Sequence, residues 1–94
     1  MSFEFGWGPQ KAKENLKNHD GVSFEEGMTE FGDPLAKIFN DEEHSYDEHR
    51  EIIIGQSVRQ RLILVSFTAK EARIRIISAR EATATERRDY EENT

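Results

Sequence analysis

Residues 60–80, QRLILVSFTAKEARIRIISAR, contain two apolar runs separated by a short polar gap. The first run, residues 62–67, places apolar side chains on both faces of an extended chain, which is typical of a central strand. In the second run, Arg73 and Arg75 alternate with isoleucines, so both guanidiniums leave one face of a strand, which Ile77 and Ala79 share. The gap at 69–71 has hairpin length, and the two runs therefore predict neighbouring antiparallel strands.

Helix signals lie on both sides of this strand pair. Residues 9–18 predict a first helix that begins with proline, which suits the first helical position. Ser23 with Glu26, and Thr83 with Glu86, have the spacing of capping boxes and predict a second helix and a terminal helix through about Glu92. Further strands are expected at 2–5, 35–39 and 50–55, and an acidic solvent loop at 40–51.

These elements predict an α+β fold. We expect a single domain over residues 1–94, with an antiparallel sheet of about four to five strands and two N-terminal helices and one C-terminal helix on one face. The 94-residue chain is 35% hydrophobic and 34% charged and has no cysteine, which excludes a disulfide scaffold and thiolate chemistry. No apolar run approaches the length of a membrane span, and residues 1–10 do not have the pattern of a signal peptide. We therefore expect no membrane partner and a cytoplasmic location.

Charge is divided unevenly along the chain. The net charge is −6, which alone argues against a nucleic-acid binder, but all eight arginines lie from Arg50 onward. A local arginine cluster can bind an anion in spite of the net charge.

Several residues are candidates for chemistry. Arg80 ends a strand just before a helix begins, where free N–H groups favour an anion, and Arg61 lies at the start of the neighbouring strand. His19 is the histidine outside the acidic loop; it is either a cation favoured at a helix end or a group for proton transfer. His44 and His49 lack the spacing of a zinc pair, and no motif for nucleotide, dinucleotide or hydrolase chemistry occurs, so neither a metal nor a cofactor is expected.

Four stretches, followed by Glu86 and Tyr90, together resemble one family. They are residues 7–19 (WGPQKAKENLKNH), 21–26 (GVSFEE), 31–34 (FGDP) and 73–82 (RIRIISAREA). The chain resembles the BrnT toxins of type II toxin–antitoxin systems over roughly residues 3–90. The resemblance implies a RelE-like fold and a cytoplasmic endoribonuclease that arrests translation. It also implies a BrnA-like antitoxin whose ribbon-helix-helix domain binds operator DNA, so that this chain meets DNA only through its partner.

RNA cleavage without a metal needs a base, an acid and cations around the phosphate. The resemblance makes His19 the candidate for proton transfer. Arg61, Arg75 and Arg80 are candidates for phosphate binding and for stabilising transition-state charge, with Arg61 and Arg80 as the predicted catalytic arginines. Lys11 and Lys70 are lesser candidates. Trp7 either stacks on a base or anchors the first helix in the core, and Tyr90 either positions RNA or packs.

Two positions depart from the family pattern. Gly8 stands where the family usually has aspartate, and Asp20 adds a residue between His19 and Gly21. These departures and the net acidity favour an alternative, in which a weakened or inactive homologue acts as an antitoxin-binding co-repressor. For either function we expect the antitoxin to meet an exposed apolar patch with an acidic rim.

Overall fold

A computed structural model of the chain describes residues 3–18, 21–44 and 48–92. Within these ranges the helices are α1 (Pro9–Asn18), α2 (Phe24–Thr29) and α3 (Ala84–Glu92), and the strands are β1 (Glu4–Gly6), β2 (Lys37–Asn40), β3 (Glu51–Gln56), β4 (Leu62–Lys70) and β5 (Arg73–Glu81). Short 3-10 turns occupy Glu30–Gly32 and Glu42–His44. The α+β class and the bounds of α1 are confirmed. None of the described helices is long and apolar enough to cross a membrane.

The five described strands form one sheet in the order β1-β5-β4-β3-β2. Consecutive strands from β2 to β5 pair antiparallel, with short connections between β3 and β4 and between β4 and β5, but β1 runs parallel to β5. The prediction of a fully antiparallel sheet is therefore wrong. Because β1 reaches the sheet through two helices and not through a hairpin, no short turn forces it to be antiparallel.

The main core lies between one face of the sheet and helices α1 and α2. Phe24 of α2 belongs to one buried cluster with Ile63, Val65 and Ile76 of the sheet, all of which are almost fully buried. A Cβ added to Gly27 would lie 3.0 Å from Cγ2 of Val65, so the missing side chain allows α2 to approach β4 closely. The core therefore fixes both N-terminal helices against the central strands.

The terminal helix covers the opposite face. Ile54 and Leu64 pair across β3 and β4 and point away from the core face, and they line a groove with Tyr90 of α3. The prediction that all helices share one face is therefore wrong, since the sheet is apolar on both sides and needs cover on both. In the capping box of α3, Thr83 N–H donates to Glu86 and Glu86 N–H donates to Thr83 Oγ1, which confirms the predicted pattern.

The other predicted capping box, at the start of α2, is only half formed. Ser23 Oγ accepts from Glu26 N–H at 2.9 Å, but the Glu26 carboxylate binds Ser57 and Arg61. The start of one predicted strand also differs from expectation. Leu35 belongs to a turn in which the Asp33 carboxylate accepts from Leu35 N–H at 2.9 Å, and β2 begins only at Lys37. Ser2 lies outside the described residues.

A bulge in β5 changes which face its residues present. Ser66 pairs with Ser78 and Phe67 with Ile76, so Ile77 is an extra residue in the ladder. Ala79 consequently lies on the core face, fully buried, and not with Arg73 and Arg75 as the alternation predicted. Past the end of β1, helix α1 lies along the edge of β5 and satisfies its backbone. The Asn15 amide oxygen accepts from Ala79 N–H at 3.0 Å, and the Asn15 amide nitrogen donates to the Ala79 carbonyl at 2.7 Å.

Candidate functional site

A cavity of about 290 Å³ lies where β1 ends beside β5 and α1 begins. Three cationic side chains and one carboxylate line it, together with Gly8, Ile76 and Ile77; the charged residues are Lys11, Arg50, Arg75 and Glu48. Arg75 forms an ion pair with Glu48, and both side chains are about half exposed, at 56% and 45%. The cavity, which we call the basic cavity, is therefore open to solvent and carries an excess of positive charge.

The sheet register explains why these residues meet. Gly6 pairs with Arg75, which places the start of α1 beside this point of β5. Thr68 pairs with Arg75, and the preceding Phe67 pairs with Glu51, so Arg50 arrives at the same end of the sheet from β3. The first turn of α1 contains no acidic residue, and its free N–H groups add a positive dipole end. The cationic side chains and the N-terminus of α1 together favour the binding of an anion at this cavity.

A smaller cavity of about 160 Å³ adjoins the basic cavity and shares Lys11 and Ile77 with it. Asn18, the last residue of α1, lines this smaller cavity. His19, the predicted group for proton transfer, follows Asn18 in the chain but lies outside the described residues. Lys11 and Arg75 are the predicted site residues that the structure brings together here.

Arg61 lies elsewhere and is held by carboxylates. Its Nε donates to Glu26 at 2.9 Å, a second guanidinium nitrogen also binds Glu26, and Nη1 donates to Glu81 at 3.0 Å. The Glu26 side chain is only 4% exposed, and the hydrogen bond from Arg61 lowers its pKa. This network joins α2 to the strands on the core face of the sheet, and Arg61 does not line the basic cavity.

Arg80 is held in a similar way on the opposite face. Its two terminal nitrogens donate to the two oxygens of Glu86 at 2.8 and 2.9 Å. Hydrogen bonds from Arg80 are the main reason that the pKa of Glu86 falls to about 2. The anion that the sequence predicted at the start of α3 is thus supplied by the helix itself, as the Glu86 carboxylate.

The other predicted RNA contacts are also dispersed. Trp7 packs edge-on against Phe24 with ring centroids 5.8 Å apart, as expected of a core anchor. Tyr90 Oη donates to the carbonyl of Leu35 at 3.3 Å on the α3 side of the sheet. Lys70 is exposed at the end of β4, opposite Arg73. The stacking role of Trp7 and the RNA-binding roles of Tyr90 and Lys70 remain predictions.

Glu48 and Arg50 were not predicted as site residues, because they belong to the stretch interpreted as a solvent loop. The available signal was the position of Arg50 at the start of a predicted strand, but its neighbours depend on the order of β3, β4 and β5. His44 in the same stretch contacts the Asp41 carboxylate at 3.0 Å. Among the described residues, no group of three or more His, Asp or Glu side chains is placed to hold a metal.

A second buried acid, Glu30, also lies outside the basic cavity. Glu30 is fully buried, and among the described residues no side chain hydrogen-bonds its carboxylate, although the backbone of Gly55 lies close enough to favour the ionised form slightly. Burial, reinforced by the nearby Asp33 carboxylate, raises the pKa of Glu30 to about 10. The side chain is therefore neutral at physiological pH.

Comparison with known proteins places these features in context. A family model described as "Ribonuclease toxin, BrnT, of type II toxin-antitoxin system" matches residues 7–86. The crystal structure of the Brucella abortus ribonuclease toxin BrnT is similar in fold, with a TM-score of 0.65 and 22% sequence identity, and the match covers 87% of this chain and 99% of that one. A search of curated proteins found no match.

Proposed function

Since the chain belongs to the BrnT family of ribonuclease toxins of type II toxin–antitoxin systems, we propose that it cleaves RNA at the basic cavity without a metal ion. The observation that supports this proposal is the convergence of Lys11, Arg50 and Arg75 at the start of α1. Three cations and a helix N-terminus at one cavity suit a phosphodiester. The acidity of the whole chain does not oppose this, because the local charge determines what docks.

The proposed reaction is attack by a ribose 2′-oxygen on the adjacent phosphorus. The 2′-oxygen forms a bond to phosphorus, the bond from phosphorus to the 5′-oxygen breaks, and a 2′,3′-cyclic phosphate remains. A base takes the 2′-OH proton and an acid protonates the leaving 5′-oxygen. Negative charge that develops on the phosphoryl oxygens is stabilised by fixed cations.

In this proposal each charged residue of the basic cavity has a role. Lys11, Arg50 and Arg75 contact the phosphoryl oxygens. Glu48 orients Arg75 through their ion pair. His19 remains the candidate for proton transfer, since it follows α1 directly, and the catalytic roles of Arg61 and Arg80 remain predictions.

The family implies a protein antitoxin as partner. We further propose that this antitoxin is BrnA-like, that its ribbon-helix-helix domain binds operator DNA, and that the chain acts in the cytoplasm to inhibit translation. The RelE-like comparison also remains a prediction.

The decisive test uses two arginines of the same strand. Arg75→Ala should lower cleavage of a fluorescent single-stranded RNA in EDTA by at least tenfold, because it removes a phosphate contact. Arg73→Ala is the matched control, since Arg73 is two residues away, 82% exposed and paired with Glu4 outside the basic cavity, and it should stay within twofold of wild type. Product ends should be 2′,3′-cyclic phosphates, and a 2′-deoxy substitution at the cleaved position should abolish cleavage.

Several outcomes would contradict the proposal. Equal activity in the two variants would remove the basic cavity from the mechanism, and loss of activity in EDTA would contradict metal independence. If the wild-type chain cleaves no RNA but binds its antitoxin and enhances operator binding, the alternative function as a co-repressor module is correct.

A further inference from the structure

The last strand of the sheet, β2, presents an unusual edge. Within the described residues, β3 pairs with one side of β2 and no strand pairs with the other. Two large apolar side chains on β2 are about half exposed, Ile38 at 55% and Phe39 at 48%, and Leu35 just before the strand is 64% exposed. Soluble proteins usually protect such an edge with charge or cover, because it can accept another strand.

Apolar cavities of about 300 Å³ lie beside β2 on both faces of the sheet. On the core face, Ile38 and Phe3 line a groove whose floor includes Phe67 and Ile74. On the α3 face, Phe39 lines a groove with Ile54, Leu64 and Tyr90. Because alternate side chains of a strand point to opposite faces, one strand added to β2 would fill both grooves at once.

Charge around β2 limits what can bind there. The described residues that line the core-face groove include the acids Asp33 and Glu51 and no cationic side chain. Asp41, Glu42 and Glu43 follow β2 directly. A segment with basic residues at its flanks complements this surface.

The same charges disfavour a second copy of this chain. In an antiparallel pair of β2 strands, the acids that follow β2 in one copy, Asp41, Glu42 and Glu43, would lie near the start of β2 in the other, where Asp33 and Lys37 together supply no net positive charge to offset them. Each copy also carries a net charge of −6. Like charges on neighbouring strands destabilise pairing.

We propose that the antitoxin binds this chain by adding an extended segment to the outer edge of β2, with apolar side chains in both grooves and basic residues against the acidic flanks. The proposal rests on the family only for the existence of an antitoxin, and it names where and how that partner is held. The docking edge is separate from the basic cavity, with which neither groove shares a lining residue.

The test measures binding of the purified cognate antitoxin to variants of the full chain. Ile38→Lys and Phe39→Lys should each weaken binding at least tenfold, because a cation replaces an apolar side chain in a groove and repels the basic flanks. Val58→Lys and Leu16→Lys are matched controls, since both residues are exposed apolar side chains outside β2, at 73% and 46%, and both should bind within twofold of wild type. Circular dichroism establishes that each variant is folded.

Hydrogen exchange gives a second readout that does not depend on variants. Antitoxin binding should slow exchange of the β2 amides strongly, as expected when an edge gains a strand. Unchanged exchange there, or equal binding by the β2 and control variants, would overturn the proposal. A chain that is dimeric alone, and that Ile38→Lys makes monomeric, would show that a second copy occupies the edge and would also overturn it.

RNA cleavage by the chain alone is measured in parallel, so the two proposals fail separately. If no RNA is cleaved but the β2 variants lose the antitoxin, the docking proposal stands and the nuclease proposal fails. If cleavage depends on Arg75 while the β2 variants bind normally, the reverse holds.

Discussion

The two ends of β5 use the same residue type in different ways. At the Arg80 end, Arg80 is fixed by Glu86 on one face of the sheet, and nearby Arg61 is fixed by Glu26 on the other. At the Arg75 end, the partner of Arg75 is the half-exposed Glu48, and the ion pair borders an open cavity with Lys11 and Arg50. Under the proposed function, the exposure of the carboxylate partner is what separates a guanidinium fixed in the fold from one that binds a ligand.

The largest effect on stability should come from Arg61. Arg61→Ala leaves the Glu26 carboxylate, which is 4% exposed, without its main partner, and should lower the free energy of unfolding by about 4 kcal/mol. Urea denaturation at neutral pH measures the change. Arg59→Ala is the control, because Arg59 is 67% exposed and 3.8 Å from Glu26, and it should cost less than about 0.5 kcal/mol.

A different result would contradict the structural role of Arg61. If the Arg61→Ala variant has the same urea midpoint of unfolding as the wild type but no longer cleaves RNA, Arg61 is a catalytic residue, as the sequence predicted. The basic cavity would then not contain the whole site.

The next largest effect concerns the buried acid Glu30. Its pKa is about 10 in the folded chain and near 4.5 in the unfolded chain, so the contribution of Glu30 to stability is greatest below pH 4.5 and is lost as pH rises toward 10. Glu30→Gln keeps the shape and removes the titration. It should stabilise the chain at pH 7 on the order of 3 kcal/mol and have no effect near pH 4.

Thermal unfolding of Glu30→Gln and wild type across this pH range checks the prediction. Glu42→Gln is the control, because Glu42 is exposed in a 3-10 turn. Parallel stability curves for wild type and Glu30→Gln would show that Glu30 is ionised in the folded chain. The conclusion that Glu30 is neutral in the folded chain, whereas Glu26 is ionised and paired with Arg61, would then be wrong.

Local patterns in the sequence predicted much of the fold. Proline at position 9 correctly marked the start of α1, and reciprocal hydrogen bonds between Thr83 and Glu86 begin α3. The parallel pairing of β1, the position of α3 on the second face and the extra residue Ile77 in β5 were not predicted. Each of these depends on contacts between segments that are far apart in the chain, and no short motif encodes them.

The candidate site was predicted only in part for a similar reason. Lys11 and Arg75 were chosen by residue type and do line the basic cavity. Arg50 joins them only because β4 lies between β3 and β5, an order that local sequence does not specify. Glu26 lies 35 positions before Arg61 in the chain, so their ion pair, which occupies the Arg61 guanidinium, left no sequence signal.

The smallest effect should appear at Arg80, and it tests the comparison within a single strand. Glu86 has a pKa of about 2 when folded and near 4.5 when unfolded, so its bond to Arg80 contributes stability above pH 4.5 that is lost as pH falls toward 2. Because Arg80 is 37% exposed, solvent screening reduces this contribution, and Arg80→Ala should cost about 1 kcal/mol at neutral pH and less near pH 2.

Arg73→Ala, which breaks an almost fully exposed pair with Glu4, should cost less than about 0.5 kcal/mol and leave the acid limb of the stability curve unchanged. Since the hydrogen bond from Arg61 also lowers the pKa of Glu26, the measurement is the difference between each variant and wild type in thermal unfolding from pH 7 to pH 2, which cancels the contribution of Glu26. Equal losses for the two variants would mean that Arg80 is no more fixed than the exposed arginine of the same strand, and its guanidinium would again be available for RNA.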